Sequence, residues 1–452
     1  MKCCIVTLGC QMNHSDSERI RSVIEKIGFI MTENESEADL IGVIACSVRQ
    51  KAIDKVYSKI NKWNKWKKDK PLITFVSGCI LPNDELKFLK LFDLLFRMNQ
   101  LPDLPKMLSD FGVVTPYSVS NLLPVVEKVN DLTDFWQVKP SYTKKFEAFI
   151  PIQNGCDKMC SFCAVPYTRG KEVSRASSDI LNEIRHLVSK NVKSITLLGQ
   201  NVNSYGLDNP ENELSFASLL DEIGKIGIKS GKFFWVYFTS PHPRDMTKDV
   251  LEVISSYQCL AKQIHLPLQS GDDKLLRRMN RNHNVHDYLN IIKDIKKILP
   301  SSTIFTDIIV GFCGETDEQF FNTAEIMLNA KFNMAYIAKY SPRIGARSAR
   351  WDDDVSSDKK SERFSILSEI LKRTSFQHNQ TLVGKKMKVL VERVDPRMNS
   401  SVSARTEGKL PVRISNTSDK IVGTFQDVKI ISASELSLTG ELVKNPIKEL
   451  VN

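Results

Sequence analysis

The stretch NGCDKMCSFC, residues 154–163, directly follows the apolar run FIPIQ at 149–153. Its cysteines, Cys156, Cys160 and Cys163, have the spacing CxxxCxxC. Three thiolates on one short loop can hold three corners of an iron–sulfur cluster and leave one iron open to another ligand. Zinc is the alternative, but structural zinc usually has four protein ligands, often in paired CxxC halves, and no second CxxC exists here. The loop therefore predicts an iron–sulfur site at the end of a strand.

The region from about 146 to 380 alternates apolar runs with segments of helical spacing. Such alternation predicts an α/β fold with parallel strands, here a full or partial βα barrel. Reacting groups in a βα barrel lie at the C-terminal ends of its strands, where the cysteine loop is expected. The six predicted strands are FIPIQ, SITLLG, FFWVYFT, QIHLPLQ, TIFTDIIVG and MAYIAKY.

The first third of the chain predicts a separate parallel α/β unit, with strands in KCCIVTL, DLIGVIA and PLITFVSG. Cys10, Cys46 and Cys79 each directly follow one of these strands. If the strands are neighbours, their C-terminal ends open onto one crevice where the three sulfurs can converge. The alternative is that all three are small apolar residues packed at strand ends.

The predicted domain boundaries are 1–112 for the N-terminal unit, 113–145 for a connector, 146–380 for the barrel and 381–446 for a last unit. The connector loses periodicity and contains Pro116, Pro124 and Pro140. Past Gln380 the short alternating segments KKMKVLVERV, KLPVRI and QDVKIISAS predict a small β-barrel or sandwich.

Composition restricts the class of protein. The chain has 452 residues, 42% of them hydrophobic and 26% charged, which is typical of a soluble globular protein, and no apolar run long enough to span a bilayer. Ten cysteines are too few for a disulfide scaffold, so we expect a reducing, cytoplasmic location. The net charge of +10 favours a polyanionic partner.

The chain resembles the methylthiotransferases, a family of radical S-adenosylmethionine enzymes. The resemblance covers nearly all of it and rests on TLGCQMNHSDSERI, CSVRQKA, GCDKMCSFCAVPYTRGKEVSR, LLGQNVNSYG, HLPLQSG and DIIVGFCGET, which occur in the family's order. Gln11, Met12 and Asn13 after Cys10 look most like the members that act on dimethylallyl-adenosine next to the tRNA anticodon. Other members act on threonylcarbamoyl-adenosine in tRNA or on a ribosomal-protein aspartate.

The resemblance implies two 4Fe-4S clusters, one held by Cys156, Cys160 and Cys163 and one by Cys10, Cys46 and Cys79. It also implies S-adenosylmethionine as cofactor, tRNA as substrate, and two further proteins, one donating electrons and one donating sulfur or a cluster. We expect no membrane contact, and the sequence does not define the oligomeric state, although a monomer is favoured. The loop residues that would line the nucleotide and substrate pocket, each of which could instead close a turn or cap a helix, are Gly199, Gln200, Asn201, Ser240, His242, Gln269, Ser270, Gly311 and Glu315.

The C-terminal segment resembles the TRAM domain, a small RNA-binding barrel found in this family. Its basic residues could contact phosphate, or could be solvated surface charges. They are Lys385, Lys386, Lys388, Arg393, Arg397 and Arg405. The competing hypothesis from another class is a noncatalytic RNA-binding protein with a structural metal, which leaves the open corner of the CxxxCxxC site unexplained.

Overall fold

The structure is a computed structural model that describes residues 1–46, 50–111, 132–395, 400–415 and 417–443. Most of the predicted connector, Arg397 and the end of the predicted last unit lie outside these ranges. Across the described ranges, no helix has both the length and the apolar character needed to cross a bilayer.

The N-terminal unit is a five-stranded parallel sheet in the order β2-β1-β3-β4-β5. Every residue of β3 is buried, as expected for a parallel strand with helices on both faces. Its strands are β1 Lys2–Thr7, β2 Ile30–Met31, β3 Leu40–Cys46, β4 Ile73–Cys79 and β5 Leu94–Leu95. The helices from here to the next sheet are α1 Gln11–Lys26, α2 Gln50–Trp66, α3 Pro82–Phe88, α4 Leu104–Ser109 and α5 Leu132–Gln137.

The central unit contains all six predicted strands in two three-stranded parallel sheets, β6-β9-β10 and β11-β12-β13. The segment before β11 joins the sheets, because Val236 accepts a backbone hydrogen bond from Ala261 (3.0 Å) and donates one to Cys259 (2.7 Å). Within the described ranges no pairing links β13 back to β6, so the barrel is partial. The strands are β6 Glu147–Pro151, β7 Gln153–Asn154, β8 Val173–Ser174, β9 Ser194–Leu198, β10 Trp235–Phe238, β11 Gln263–His265, β12 Thr303–Val310 and β13 Met334–Lys339.

Amphipathic helices cover the outside of the partial barrel. In α7 the buried residues are Ile180, Leu181, Ile184, Leu187 and Val188, the face that helical spacing predicts. The helices are α6 Val165–Arg169, α7 Ser177–Ser189, α8 Phe216–Ser230, α9 Lys248–Ser256, α10 Asp273–Arg278, α11 Val285–Ile298, α12 Asp317–Ala330 and α13 Ser357–Gln380.

The C-terminal unit is a closed five-stranded barrel in the order β14-β15-β16-β18-β17, with its own apolar core. Closure leaves no free sheet edge. Its strands are β14 Lys386–Val394, β15 Ser401–Thr406, β16 Pro411–Ser415, β17 Phe425–Ala433 and β18 Leu438–Leu442.

The small barrel packs against the N-terminal ends of the partial-barrel strands. The Phe425 ring lies 4.6 Å from the Trp235 ring and 4.7 Å from the Phe233 ring, centroid to centroid. Tyr237 Oη donates to the Glu407 carbonyl at 3.0 Å, and Thr303 Oγ1 donates to the Gly408 carbonyl at 2.7 Å. The two barrels therefore share an aromatic and hydrogen-bonded seam, opposite the end that carries the cysteine loop.

Phe425→Ala should weaken this seam. It removes two ring pairs, each worth about 0.5–1.5 kcal/mol beyond the buried area, so the free energy of unfolding should fall by about 1–3 kcal/mol in chemical denaturation. Ile228→Ala on α8, where the side chain is 73% exposed, is the matched control and should change little. Equal stabilities for the two variants would contradict the seam's importance.

Candidate active site

Cys10, Cys46 and Cys79 come together at the C-terminal edge of the N-terminal sheet. Cys46 and Cys79 are partners in the β3–β4 register, and their side chains are in contact. Cys10 caps the N-terminus of α1, directly after β1. All three line one cavity of about 850 Å³. The predicted convergence of these three sulfurs is therefore what the fold produces.

Asn13 ties the three strand ends together. Its Oδ1 accepts from the Cys10 amide at 3.2 Å and from the Cys10 thiol at 3.4 Å. Its Nδ2 donates to the Ala45 carbonyl at 3.2 Å and lies 3.9 Å from Cys79 Sγ. This buried amide thus contacts residues from the ends of β1, β3 and β4.

Two glycines make room for the Asn13 amide. A Cβ on Gly9 would lie 2.1 Å from Asn13 Oδ1, and a Cβ on Gly78 would lie 2.5 Å from the Ala45 carbonyl oxygen. Gly78 also has φ +106°, a left-handed conformation that favours glycine. The two GC pairs, Gly9-Cys10 and Gly78-Cys79, therefore follow from close packing around one side chain.

The CxxxCxxC loop follows β6 and β7 at the C-terminal end of the partial barrel. Its backbone is held by donors from outside the loop, since the Cys156 amide donates to Gly170 O at 3.2 Å and Asn280 Nδ2 donates to Met159 O at 2.9 Å. Arg281 Nη1 lies 3.5 Å from Cys160 Sγ. The loop is thus fixed on both sides, with a guanidinium beside one of its sulfurs.

Burial favours the protonated thiol at several of these cysteines. It raises the pKa of Cys156 to about 11 and that of Cys163 to about 12. Two causes raise the pKa of Cys79 well above its usual value. The larger is its hydrogen bond with Cys46, and the smaller is burial. Metal binding requires the thiolate, so cluster assembly at these positions releases protons.

Arg169, the last residue of α6, joins the two cysteine sets. Its Nε donates to Cys79 Sγ at 3.1 Å, and its other nitrogens pair with Asp16 on α1. Cys163 lies just before α6, so this short helix leads from the CxxxCxxC loop to the second set. The quoted VPYTRG segment contains Arg169, but its contact with Cys79 crosses 90 positions of the chain and could not be predicted.

The cavity continues down the inside of the partial barrel. His265 Nε2 lies 2.8 Å from Asp307 Oδ2, and the Tyr336 ring lies 5.5 Å from the His265 ring. The small barrel contributes Arg405 and Lys409 at the far end. His265 and Asp307 lie within HLPLQSG and DIIVGFCGET, so their motifs were recognised while their pairing was not.

The pocket residues expected from the resemblance fall into two groups. Gly199, Gln200 and Ser240 line the cavity, and Gln200 Oε1 accepts from the Gly155 amide at 2.5 Å. Asn201, Gln269 and Gly311 are not among its lining residues in the described part of the chain.

The members of the second group make local contacts. Asn201 Nδ2 donates to Asp245 at 3.1 Å, and the Gly311 amide donates to Glu315, which pairs with Arg363. Gln269, with φ +70°, continues the backbone pairing with β12. Of the other expected residues, His242 is buried and accepts from the Arg244 amide, and Ser270 Oγ accepts from the Asp272 amide.

The donor set fits iron–sulfur clusters, because cysteine thiolates hold such clusters and all six thiols are free. Considering only the described ranges, no three His, Cys, Asp or Glu side chains are grouped closely enough for one metal ion.

Three family models match the chain. They are the uncharacterized protein family UPF0004 at residues 2–96, the radical SAM superfamily at 150–327 and the TRAM domain at 380–443. A likeness of fold links the chain to the radical S-adenosylmethionine methyltransferase TsrM from Kitasatospora setae, with TM-score 0.53, 11% identity and coverage of 76% of this chain and 75% of TsrM. The cobalamin-dependent radical enzyme OxsB gives TM-score 0.51 at 14% identity, covering 81% of this chain and only 56% of OxsB. Fold and models define a radical S-adenosylmethionine protein that ends in a TRAM domain.

Curated relatives give the particular family. The tRNA-2-methylthio-N(6)-dimethylallyladenosine synthase of Clostridium botulinum is 37% identical, over 97% of this chain and 96% of its own length. The protein of the same name from Carboxydothermus hydrogenoformans is 36% identical, over 97% and 98%. The chain belongs to the family of tRNA-2-methylthio-N(6)-dimethylallyladenosine synthases.

Replacing Asn13 should loosen the Cys10, Cys46 and Cys79 set. Asn13→Ala leaves the Cys10 amide and the Ala45 carbonyl without their partner, at about 1–3 kcal/mol of unfolding free energy. The amount of iron bound after reconstitution should also be lower in Asn13→Ala than in the unchanged protein. Asn182→Ala on the exposed face of α7 is the control, and no difference in stability or iron between the two variants would refute the role given to Asn13.

Proposed function

We propose that this chain is a radical S-adenosylmethionine enzyme that adds a methylthio group to C2 of N6-dimethylallyladenosine next to the tRNA anticodon. The observation that carries the proposal is the link that Arg169 and Gly170 make between the two cysteine sets, through Cys79 Sγ and the Cys156 amide. Cys10, Cys46 and Cys79 lie on a cavity at the C-terminal end of the partial barrel, and Arg169 links them to the CxxxCxxC loop. Membership of the family of tRNA-2-methylthio-N(6)-dimethylallyladenosine synthases supports the choice of this nucleoside as the substrate.

The six cysteines would hold two 4Fe-4S clusters. Cys156, Cys160 and Cys163 would leave one iron open for S-adenosylmethionine, and Cys10, Cys46 and Cys79 would hold the second cluster. When bound, these groups supply the electron that splits S-adenosylmethionine and the sulfur that is methylated and transferred. The scheme therefore needs an electron donor and a protein that restores sulfur.

The chain's own residues would bind, orient and shield the reactants. Gly199, Gln200 and Ser240 border the upper cavity and could contact the nucleotide cofactor. The aromatic rings of Tyr237 and Tyr336 stand deeper. A radical reaction needs such a chamber, because water and side reactions must be excluded.

The small barrel would guide tRNA to this chamber. Arg405 and Lys409 stand on the cavity wall, whereas Lys386 and Lys388 both pair with Asp427 on the barrel's outer surface. Phosphate contacts of this kind supply affinity and a salt dependence. The cytoplasmic location, the monomeric state and the domain boundaries given above stay predictions.

Reconstitution tests the two clusters. We expect about eight iron atoms per chain, four for each set of three thiolates. Changing Cys156, Cys160 and Cys163 together to Ala should halve the iron and abolish cleavage of S-adenosylmethionine. Changing Cys10, Cys46 and Cys79 should halve the iron and spare cleavage. Stoichiometric zinc in place of iron would overturn both assignments.

A comparison of differently modified tRNAs tests which adenosine derivative the enzyme accepts. Apolar side chains on the cavity wall include Met12, Val165 and Leu198, and such side chains suit a dimethylallyl group. Each buried carbon group contributes roughly 0.8 kcal/mol, so unmodified tRNA should react far less well.

The threonylcarbamoyl form should also be rejected. Its carboxylate would need a cation. On the cavity wall Lys144, Arg169 and Arg405 already pair with Glu147, Asp16 and Glu392, and burial lowers the pKa of Lys409 to about 8, which disfavours its charged form. The three tRNAs are compared anaerobically with reductant, followed by nucleoside mass analysis. Preferential methylthiolation of the threonylcarbamoyl form would overturn the choice of base and leave the radical chemistry standing.

A further inference from the structure

The Arg169 guanidinium donates hydrogen bonds to three partners. Nε donates to Cys79 Sγ at 3.1 Å, Nη1 donates to Asn154 Oδ1 at 3.2 Å, and both Nη1 and Nη2 face the Asp16 carboxylate. The Arg169 side chain is 4% exposed and that of Asp16 is 0% exposed. The direction of the Nε–H bond onto sulfur is therefore set by contacts from two different units.

The backbone around Arg169 is fixed as well. Asn154 Nδ2 donates to the Arg169 carbonyl at 3.2 Å, so Asn154 contacts both the main chain and the side chain of Arg169. Gly170 follows with φ +79°, which ends α6. With the arginine held at both ends, its donor cannot move away from Cys79 without breaking several hydrogen bonds.

We propose that Arg169 is a positioning residue that donates a hydrogen bond to the Cys79 ligand of the second cluster and raises that cluster's reduction potential, with Asp16 limiting the effect. The inference rests on the proposed function, because it takes Cys79 as a cluster ligand. Hydrogen bonds and positive charge at a ligand sulfur stabilise the more negative, reduced cluster. Asp16 opposes this, since its carboxylate offsets part of the guanidinium charge.

The two partners therefore predict shifts of opposite sign. Arg169→Gln removes the cation and the charged donor, so the potential should become more negative. Asp16→Asn leaves the cation uncompensated, so the potential should become less negative. Both changes break the same ion pair, so a purely structural tie between the units would affect the cluster in the same direction in both variants.

The test uses the full-length chain with Cys156, Cys160 and Cys163 changed to Ala, so that only the second cluster is present after anaerobic reconstitution. The potential is measured by a redox titration followed by electron paramagnetic resonance. For Arg169→Gln we expect at least a tenfold lower ratio of reduced to oxidised cluster at a fixed potential, a shift of about 59 mV for one electron. Arg169→Lys should recover part of the shift.

The control is Arg185→Gln, which removes an exposed arginine of α7 whose Nη1 donates to Asn182 Oδ1 at 2.8 Å, and it should leave the potential unchanged. Equal potentials, or shifts of one sign, in the Arg169 and Asp16 variants would overturn the inference while leaving the cluster assignment intact. If the parent protein with Cys156, Cys160 and Cys163 changed to Ala binds no iron, the assignment of the second cluster to the other cysteine set is overturned. The inference about Arg169 then fails as well.

Discussion

Parallel strands all end at the same edge of a sheet, and both cysteine sets depend on that constraint. The constraint alone brings three strand ends near one another, and close packing completes the site. Asn13 fits between Gly9 and Gly78 because neither glycine has a Cβ, and its amide then contacts Cys10 and Ala45 together. The sulfur positions thus follow from the strand register, which pairs Cys46 with Cys79, and from Asn13, which links Cys10 to the end of β3.

The active site is complete only when two units of the fold meet. The pair formed by Arg169 and Asp16 is nearly inaccessible, and buried ion pairs are stabilising only where all their groups find partners. Here Cys79 and Asn154 take two more of the five guanidinium donors. Further contacts hold α1 against β6, including Ser15 Oγ to the Phe149 carbonyl at 3.3 Å. Such directional contacts favour one relative placement of the two cysteine sets over others.

The features that could be predicted from the sequence are those that depend on a local pattern of residues. Alternating apolar runs gave the six strands of the central unit, and the position of a cysteine after each of three strands gave the convergence of Cys10, Cys46 and Cys79. Contacts between distant side chains have no such signal, which is why the pairing of His265 with Asp307 was not foreseen. Gln269 and Gly311 follow strands as expected, and their backbone contacts with Ile308 and Glu315 likewise had no local signal in the sequence.

The seam between the two barrels also places part of the C-terminal unit beside the cavity. Its residues 407–409 lie on the N-terminal ends of the partial-barrel strands, so the unit borders the reaction chamber. Burial lowers the pKa of Lys409 there to about 8, and its ammonium lies 4.2 Å from the Tyr237 ring centre. Partial burial reduces the screening of this charge by water, so it acts on other charged groups along the cavity wall. The hairpin of β15 and β16 therefore contributes both to the seam with the partial barrel and to the electric field inside the cavity, because Glu407 and Gly408 make the seam contacts while Arg405 and Lys409 lie on the cavity wall.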